Sequence, residues 1–260
     1  MKNGRISVSK VIILSAVFLI TGFFIWASTY SKASENSKLY LSSHSNVNVE
    51  VVENFINPGI NLSRLYFFTP DKNDSRTCLI IYPGGKVDPK AYSTLAFKIA
   101  EKGIETVIVP MPFNLAIFGI ERAKKVIEGR PDIENWFVAG HSLGGVAAAY
   151  FSESHSDMID GLILWATYTG KSIDISDIDL PVLSIYSELD GLSTPEKIMN
   201  GKSYLPENTL YYEIKGGNHS GFGDYGIQNG DNEAEISPLD QHSEIVNRTV
   251  EFIENIVSSR

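Results

Sequence analysis

Ser142, Asp190 and His219 stand in the chain order serine, aspartate, histidine, and residues of these types in that order can carry out acyl transfer. Ser142 is framed as Gly140-His141-Ser142-Leu143-Gly144-Gly145, after the apolar Val138-Ala139 and before the small-residue run Val146-Ala147-Ala148-Ala149. Gly-x-Ser-x-Gly on a sharp strand-to-helix turn lifts a serine hydroxyl clear of a sheet, because the flanking glycines let neighbouring backbones close in. The amides that open the next helix then face an oxygen bound there. The plain alternative makes Ser142 a helix N-cap and the glycines packing residues where a helix crosses a strand.

A serine nucleophile needs a histidine to take its proton and a carboxylate to orient that histidine. Asp190 follows the apolar stretch Val182-Leu183-Ser184-Ile185-Tyr186, with Glu188 as the alternative acid. His219 sits in Gly216-Gly217-Asn218-His219-Ser220-Gly221, just past Leu210-Tyr211-Tyr212-Glu213-Ile214. His44, His155 and His242 read as surface residues, and the side chain of His141 is expected to point away from Ser142 on so sharp a turn. An oxyanion needs amide donors: Leu143 supplies one, and the loop Tyr82-Pro83-Gly84-Gly85-Lys86 the other. Pro83 has no N–H, which leaves Gly84 or Gly85. Phe113, Phe222 and Tyr225 either line a small apolar substrate pocket or anchor loops.

The elements that must hold these residues alternate along the chain. Strands are expected over 47–55 and 62–69, antiparallel, with a turn near Asn57-Pro58-Gly59 and a loop over 70–74. Strands over 77–82, 105–110, 136–139, 161–166, 182–186 and 209–214 follow, interleaved with helices over 89–102, 116–129, 144–154, 195–200 and 238–258. Apolar strands separated by helices predict an α/β fold, a mostly parallel, doubly wound sheet covered on both faces. In such a sheet reactive groups gather at the carboxyl ends of the strands, where Ser142, Asp190 and His219 all fall. The fifteen residues 167–181 leave no room for a lid domain, so the walls over Ser142 fall to short loops at 86–89, 112–114 and 221–237. The last is rich in Gly, Asn and Asp and is expected to be mobile and polar. A shallow site suits short acyl groups, since each further CH₂ contributes about 0.8 kcal/mol only where it is buried.

The N-terminus has a different character. Lys2, Arg5 and Lys10 precede residues 11–27, seventeen residues without a charge, with Trp26 and Tyr30 at the far end. This predicts a membrane segment with its basic flank inside and the rest of the chain outside the cytoplasmic membrane. A cleaved secretory signal ending near Ser31-Lys32-Ala33 is the alternative. Residues 1–30 are thus assigned to the anchor or signal, 31–46 to a flexible serine-rich tether, and 47–260 to the folded domain. The first thirty residues carry three positive charges and no acid, so the remainder carries −12 against −9 overall, which argues against nucleic-acid binding. The single cysteine, Cys78, lies in a strand pattern and reads as a packed, inert thiol. Neither metal-ligand spacing nor a Gly-x-x-x-x-Gly-Lys phosphate loop occurs, so no metal or cofactor is expected.

In Tyr82-Pro83-Gly84-Gly85, Gly140-His141-Ser142-Leu143-Gly144-Gly145, Asp190 and Gly217-Asn218-His219, the chain resembles the α/β-hydrolases over roughly residues 62–256, in particular the small, lidless branch similar to dienelactone hydrolase. The stretch Gly217-Asn218-His219-Ser220-Gly221-Phe222-Gly223-Asp224-Tyr225-Gly226 looks like that of bacterial membrane-associated members. The resemblance implies an α/β-hydrolase-type sheet, with Ser142 as nucleophile, Asp190 as acid and His219 as base. Dienelactone hydrolase uses a cysteine nucleophile in the cytoplasm, so its substrate does not carry over. The expectation is a membrane-tethered serine hydrolase of a small-molecule short-chain ester or related acyl compound. An acyltransferase or peptidase on the same residues, or a catalytically silent envelope binding module, is the alternative, and the sequence leaves the oligomeric state open.

Overall fold

The structure, a computed structural model, describes residues 8–53, 64–72 and 76–260. The turn expected at Asn57-Pro58-Gly59 and part of the loop expected over 70–74 lie outside the described residues. Eight strands, β1 (Val47–Glu53), β2 (Arg64–Pro70), β3 (Thr77–Tyr82), β4 (Glu105–Ile108), β5 (Asn135–His141), β6 (Gly161–Trp165), β7 (Val182–Ser187) and β8 (Leu210–Ile214), form one sheet in the order β1-β2-β4-β3-β5-β6-β7-β8. β2 pairs antiparallel with β1 and with β4, and the pairings from β4 through β8 are parallel.

Among the described residues there are seven α-helices: α1 (Val8–Ser28), which stands apart from the sheet, and α2 (Glu35–Leu39), α3 (Ser93–Glu101), α4 (Arg122–Glu128), α5 (Leu143–His155), α6 (Pro195–Asn200) and α7 (Pro238–Ser258). The two-residue period of the strands sorts the core into two layers. Leu79, Ile81, Phe137, Ala139, Ile163 and Trp165 pack with α3 and α7. Cys78, Ile80, Val138, Leu162 and Leu164 face α4 and α5, where Ala147, Ala148 and Ala149 are fully buried against the sheet. Both faces are therefore covered, and no separate lid domain is present.

Three details depart from the sequence pattern. The helix expected over 116–129 is a 3₁₀ turn, Ala116–Phe118, followed by α4. The buried Tyr82 hydroxyl accounts for the break, since it donates to the Ile120 carbonyl and accepts from the Ala123 amide at 2.9 Å. Residues 31–46 are not a free tether: they contain α2, capped by Ser34, with Ala33 and Ser37 buried and the Ser34 amide bonded to the Asp224 carbonyl at 2.8 Å.

His242, expected at the surface, is 1% exposed on the inner side of α7. Burial pushes its pKa down to about 4, against a weaker opposing pull from Asp224. A free histidine titrates near 6.5, so the unfolded chain takes up a proton that the fold refuses, and stability is lost as pH falls from about 6.5 towards 4. Between pH 7 and pH 5 the native protein is expected to lose on the order of 1 kcal/mol more than a His242→Gln variant, read from urea midpoints. Equal losses in the two proteins would assign the acid sensitivity to another group.

Candidate active site

β5 ends in Gly140-His141 and turns into α5 at Ser142, whose backbone has φ 53° and ψ −120°. This is a left-handed-side conformation that a serine adopts only when its surroundings force it. A Cβ on Gly140 would come within 2.3 Å of the Gly144 carbonyl oxygen, and one on Gly144 within 2.2 Å of the Tyr82 carbonyl oxygen, so the turn closes only with glycine at both places. The Ser142 amide donates to the Trp165 carbonyl at 3.0 Å, and Thr167 Oγ1 donates to the Ser142 carbonyl at 3.2 Å. Ser142 makes no side-chain capping bond to α5, so its hydroxyl is not used as an N-cap. Five of the six non-glycine residues with positive φ among those described, Lys86, Phe113, Asn114, Ser142 and Ala166, lie at this end of the sheet.

The loops after β7 and β8 bring Asp190 and His219 together. Asp190 Oδ2 accepts from His219 Nδ1 at 2.8 Å, and its other oxygen accepts from the Leu192 and Ser193 amides at 2.8 and 2.6 Å. Both side chains are buried. With Nδ1–H donated to the carboxylate, Nε2 of His219 is left as the proton acceptor. Glu188 is turned elsewhere: half exposed, it accepts from the Gly216 amide at 3.1 Å, which holds its carboxyl below the usual range. The His219 ring lies 4.6 Å from that of His141, the residue before Ser142, which gathers all three residues at one end of the sheet. No hydrogen bond joins Ser142 Oγ to His219 in this resting arrangement; such contacts often tighten only around substrate.

His141 points away from the nucleophile yet still belongs to the site. Its Nδ1 is 2.7 Å from the Tyr92 hydroxyl, its ring stacks on Phe222, and burial together with the adjacent His219 keeps its pKa well below that of a free histidine. The same Tyr92 hydroxyl accepts the Gly84 amide at 2.9 Å. It therefore donates to a neutral His141 and fixes the loop after β3. Of the two glycine amides in that loop, Gly84 is occupied and Gly85 makes no hydrogen bond among the described residues. A Cβ on Gly85 would sit 2.9 Å from Leu143 Cδ2, so the Gly85 backbone lies against the side chain of the residue after Ser142.

This geometry has the form of a known architecture, and residues 78–243 match the Alpha/beta hydrolase family. The chain belongs to that family. No curated protein sequence matches this α/β-hydrolase. Among solved structures it is similar to Est1E from Butyrivibrio proteoclasticus, at 14% identity and TM-score 0.61, over 81% of this chain and 99% of that one. A monoacylglycerol lipase from Paleococcus ferrophilus matches at 15% identity and TM-score 0.56, over 73% and 99%. A dienelactone-hydrolase-like protein from Klebsiella pneumoniae matches at 13% identity and TM-score 0.60, over 80% and 99%. At such identities the likeness concerns the fold.

Other expected pocket residues fall differently in this α/β-hydrolase. Phe222 is fully buried behind His141, Tyr225 is buried with its hydroxyl on Gln228, and Phe113 faces Phe23 and Phe24 of α1. Of the two roles open to them, Phe222 and Tyr225 pack as buried loop anchors, Phe222 within the 3₁₀ turn Ser220–Phe222, while Phe113 sits at positive φ against α1. Residues 221–237 are pinned rather than mobile. Asp231 accepts from the amides of Gly191, His219 and Ser220 at 3.1, 3.2 and 2.8 Å, tying the aspartate loop to the histidine loop. Buried Gln241 of α7 exchanges hydrogen bonds with the Asn218 backbone at 3.1 and 2.8 Å. Tyr92, Asp231 and Gln241 carried no sequence signal; each acts on a loop distant in the chain.

Removing the Tyr92 hydroxyl leaves the Gly84 amide and His141 Nδ1 buried without partners. Tyr92→Phe is therefore expected to lower stability by about 1–3 kcal/mol in urea denaturation. A neutral result would mean that water replaces the hydroxyl.

Proposed function

We propose that this α/β-hydrolase is a serine hydrolase that cleaves a short-chain carboxylic ester or a related small acyl compound through an acyl-enzyme. The observation that carries the reading is the buried Asp190–His219 hydrogen bond of 2.8 Å beside a serine held at φ 53° on a strand-to-helix turn. Ser142 Oγ attacks the acyl carbonyl while His219 Nε2 takes its proton. Asp190 holds the imidazole and stabilises the imidazolium that forms. His219 then returns the proton to the departing alkoxide, and a water, deprotonated by the same nitrogen, releases the acid and restores Ser142. The amides of Leu143 and Gly85 serve the oxyanion, each worth about 3–4 kcal/mol in the transition state. Gly84 is the weaker choice because Tyr92 already holds its amide.

The short-chain preference rests on the absence of an apolar wall from the residues that could have built one. Neither Ser142 nor His219 lines the clefts of about 520 and 630 Å³, the second of which runs along Pro112 and Ile117–Ile120, and a cleft of about 300 Å³ reaches Asn218 and Ser220 on either side of His219. In the same reading α1 is an uncleaved anchor that leaves the domain outside the cytoplasmic membrane; it is 21 residues long and apolar enough to span a bilayer.

Ser142→Ala is expected to cut hydrolysis of a small activated ester by about 10³-fold or more and to abolish fluorophosphonate labelling, with the circular dichroism unchanged. Asp190→Asn should cost far more activity than Glu188→Gln. An active Ser142→Ala protein, or the reverse order of the two acids, would remove the assignment. Across p-nitrophenyl esters, kcat/KM should peak at roughly two to six carbons. A steady rise to long chains would show a groove that opens on binding.

A further inference from the structure

α1 does more than enter a membrane: its far end is sewn to the loop that borders Ser142. The helix ends at Ser28, and Ser31 already pairs with that loop, its amide donating to the Lys86 carbonyl and its carbonyl accepting from the Asp88 amide, both at 2.8 Å. Three residue steps span at most about 10 Å, so the oxyanion loop cannot stand far from the helix end. Side chains shorten the distance further. Lys86 Nζ lies 4.4 Å over the Trp26 ring and 3.0 Å from Thr29 Oγ1, while Phe113 makes edge contacts with Phe23 and Phe24 at 5.6 and 5.8 Å.

From Phe113 the apolar surface continues. Phe113 meets Phe118 at 6.0 Å, and Phe113, Ile117 and Phe118 are 45, 48 and 52% exposed. Residues 112–120, Pro-Phe-Asn-Leu-Ala-Ile-Phe-Gly-Ile, carry no charge in a chain whose residues 31–260 have a net charge of −12. Such a strip beside an emerging apolar helix, with Trp26 and Lys86 at the boundary, has the composition of an interfacial belt.

We propose that residues 112–120 rest in the headgroup region of the membrane that α1 enters, as a second contact that turns the mouth beside Ser142 towards the bilayer surface. The inference rests on the anchor reading of α1. It gives the domain a fixed pose: the carboxyl ends of the strands face the lipid, and the opposite end, where α7 finishes, faces water. Esters carried by envelope-bound molecules are then presented at the mouth without leaving the interface.

The test uses the full chain in vesicles of phosphatidylethanolamine and phosphatidylglycerol, with an environment-sensitive NBD label on one introduced cysteine at a time; native Cys78 is buried and unreactive. Ile117→Cys reports the strip, Leu19→Cys the helix, and Asn255→Cys the far end of the domain. The expected result is a blue-shifted Ile117 label quenched at least twofold more by shallow than by deep doxyl lipid. The Leu19 label should be quenched by the deep lipid, and the Asn255 label should stay water-like. If the Ile117 label matches the Asn255 label while Leu19 is quenched, the anchor stands and the surface contact is overturned. If the Leu19 label is unquenched, or the segment is lost by cleavage, the anchor reading fails and the contact falls with it.

Discussion

A serine held at positive φ is strained by on the order of 1–3 kcal/mol, and it persists only where its neighbours permit nothing else. Around Ser142 those neighbours are backbone atoms. Gly140 and Gly144 leave no room for a side chain, the Ser142 amide and carbonyl are tied to Trp165 and Thr167, and the alanines of α5 press the helix onto the sheet. The turn is thus an outcome of the strand order: β5 lies between β3 and β6, and both neighbours contribute atoms to it. Sheet, helix and reactive oxygen are set by one packing solution.

The polar groups around it follow a second rule, that a buried carboxylate needs several donors. Asp190 is satisfied by two amides and an imidazole, and half-buried Asp231 by four amides and the Ser220 hydroxyl, with no lysine or arginine among these partners. Amides are fixed by the backbone, whereas a lysine would bring a mobile charge. A carboxylate held by amides orients the His219 imidazole in one tautomer, with Nε2 left free of the carboxylate. Buried His141, kept neutral and tied to Tyr92, supports the same ring from behind without competing for the proton.

The N-terminal segment is bound into this arrangement. Ser31 extends the backbone pairing of the loop after β3 and Ser34 bonds to the carbonyl of Asp224 in the loop after His219, so residues close to α1 touch two of the loops around Ser142. Position relative to the helix and shape of the site are therefore coupled through a few short hydrogen bonds.

Much was written in the sequence because it depends on neighbours in the chain. The glycine spacing about Ser142, the apolar strands before Asp190 and His219, and the uncharged run of α1 are local patterns, and strand period, turn chemistry and helix length act over a few residues. The sequence also narrowed the acid to Asp190 or Glu188 and the second amide to Gly84 or Gly85. Within those pairs only the tertiary structure shows which groups are bonded, since the bonds join groups far apart in the chain: His219 reaches Asp190, and Tyr92 holds the Gly84 amide. The same reason explains the departures. Composition made residues 221–237 look loose and 31–46 look like a tether, but Asp231, Gln241 and the docking of Ser31 and Ser34 are long-range contacts that no local pattern records. His242 was misplaced likewise, and the sequence left Phe113 and Phe222 open between pocket and loop anchor, because which side of a loop or helix meets another element is decided when the layers close.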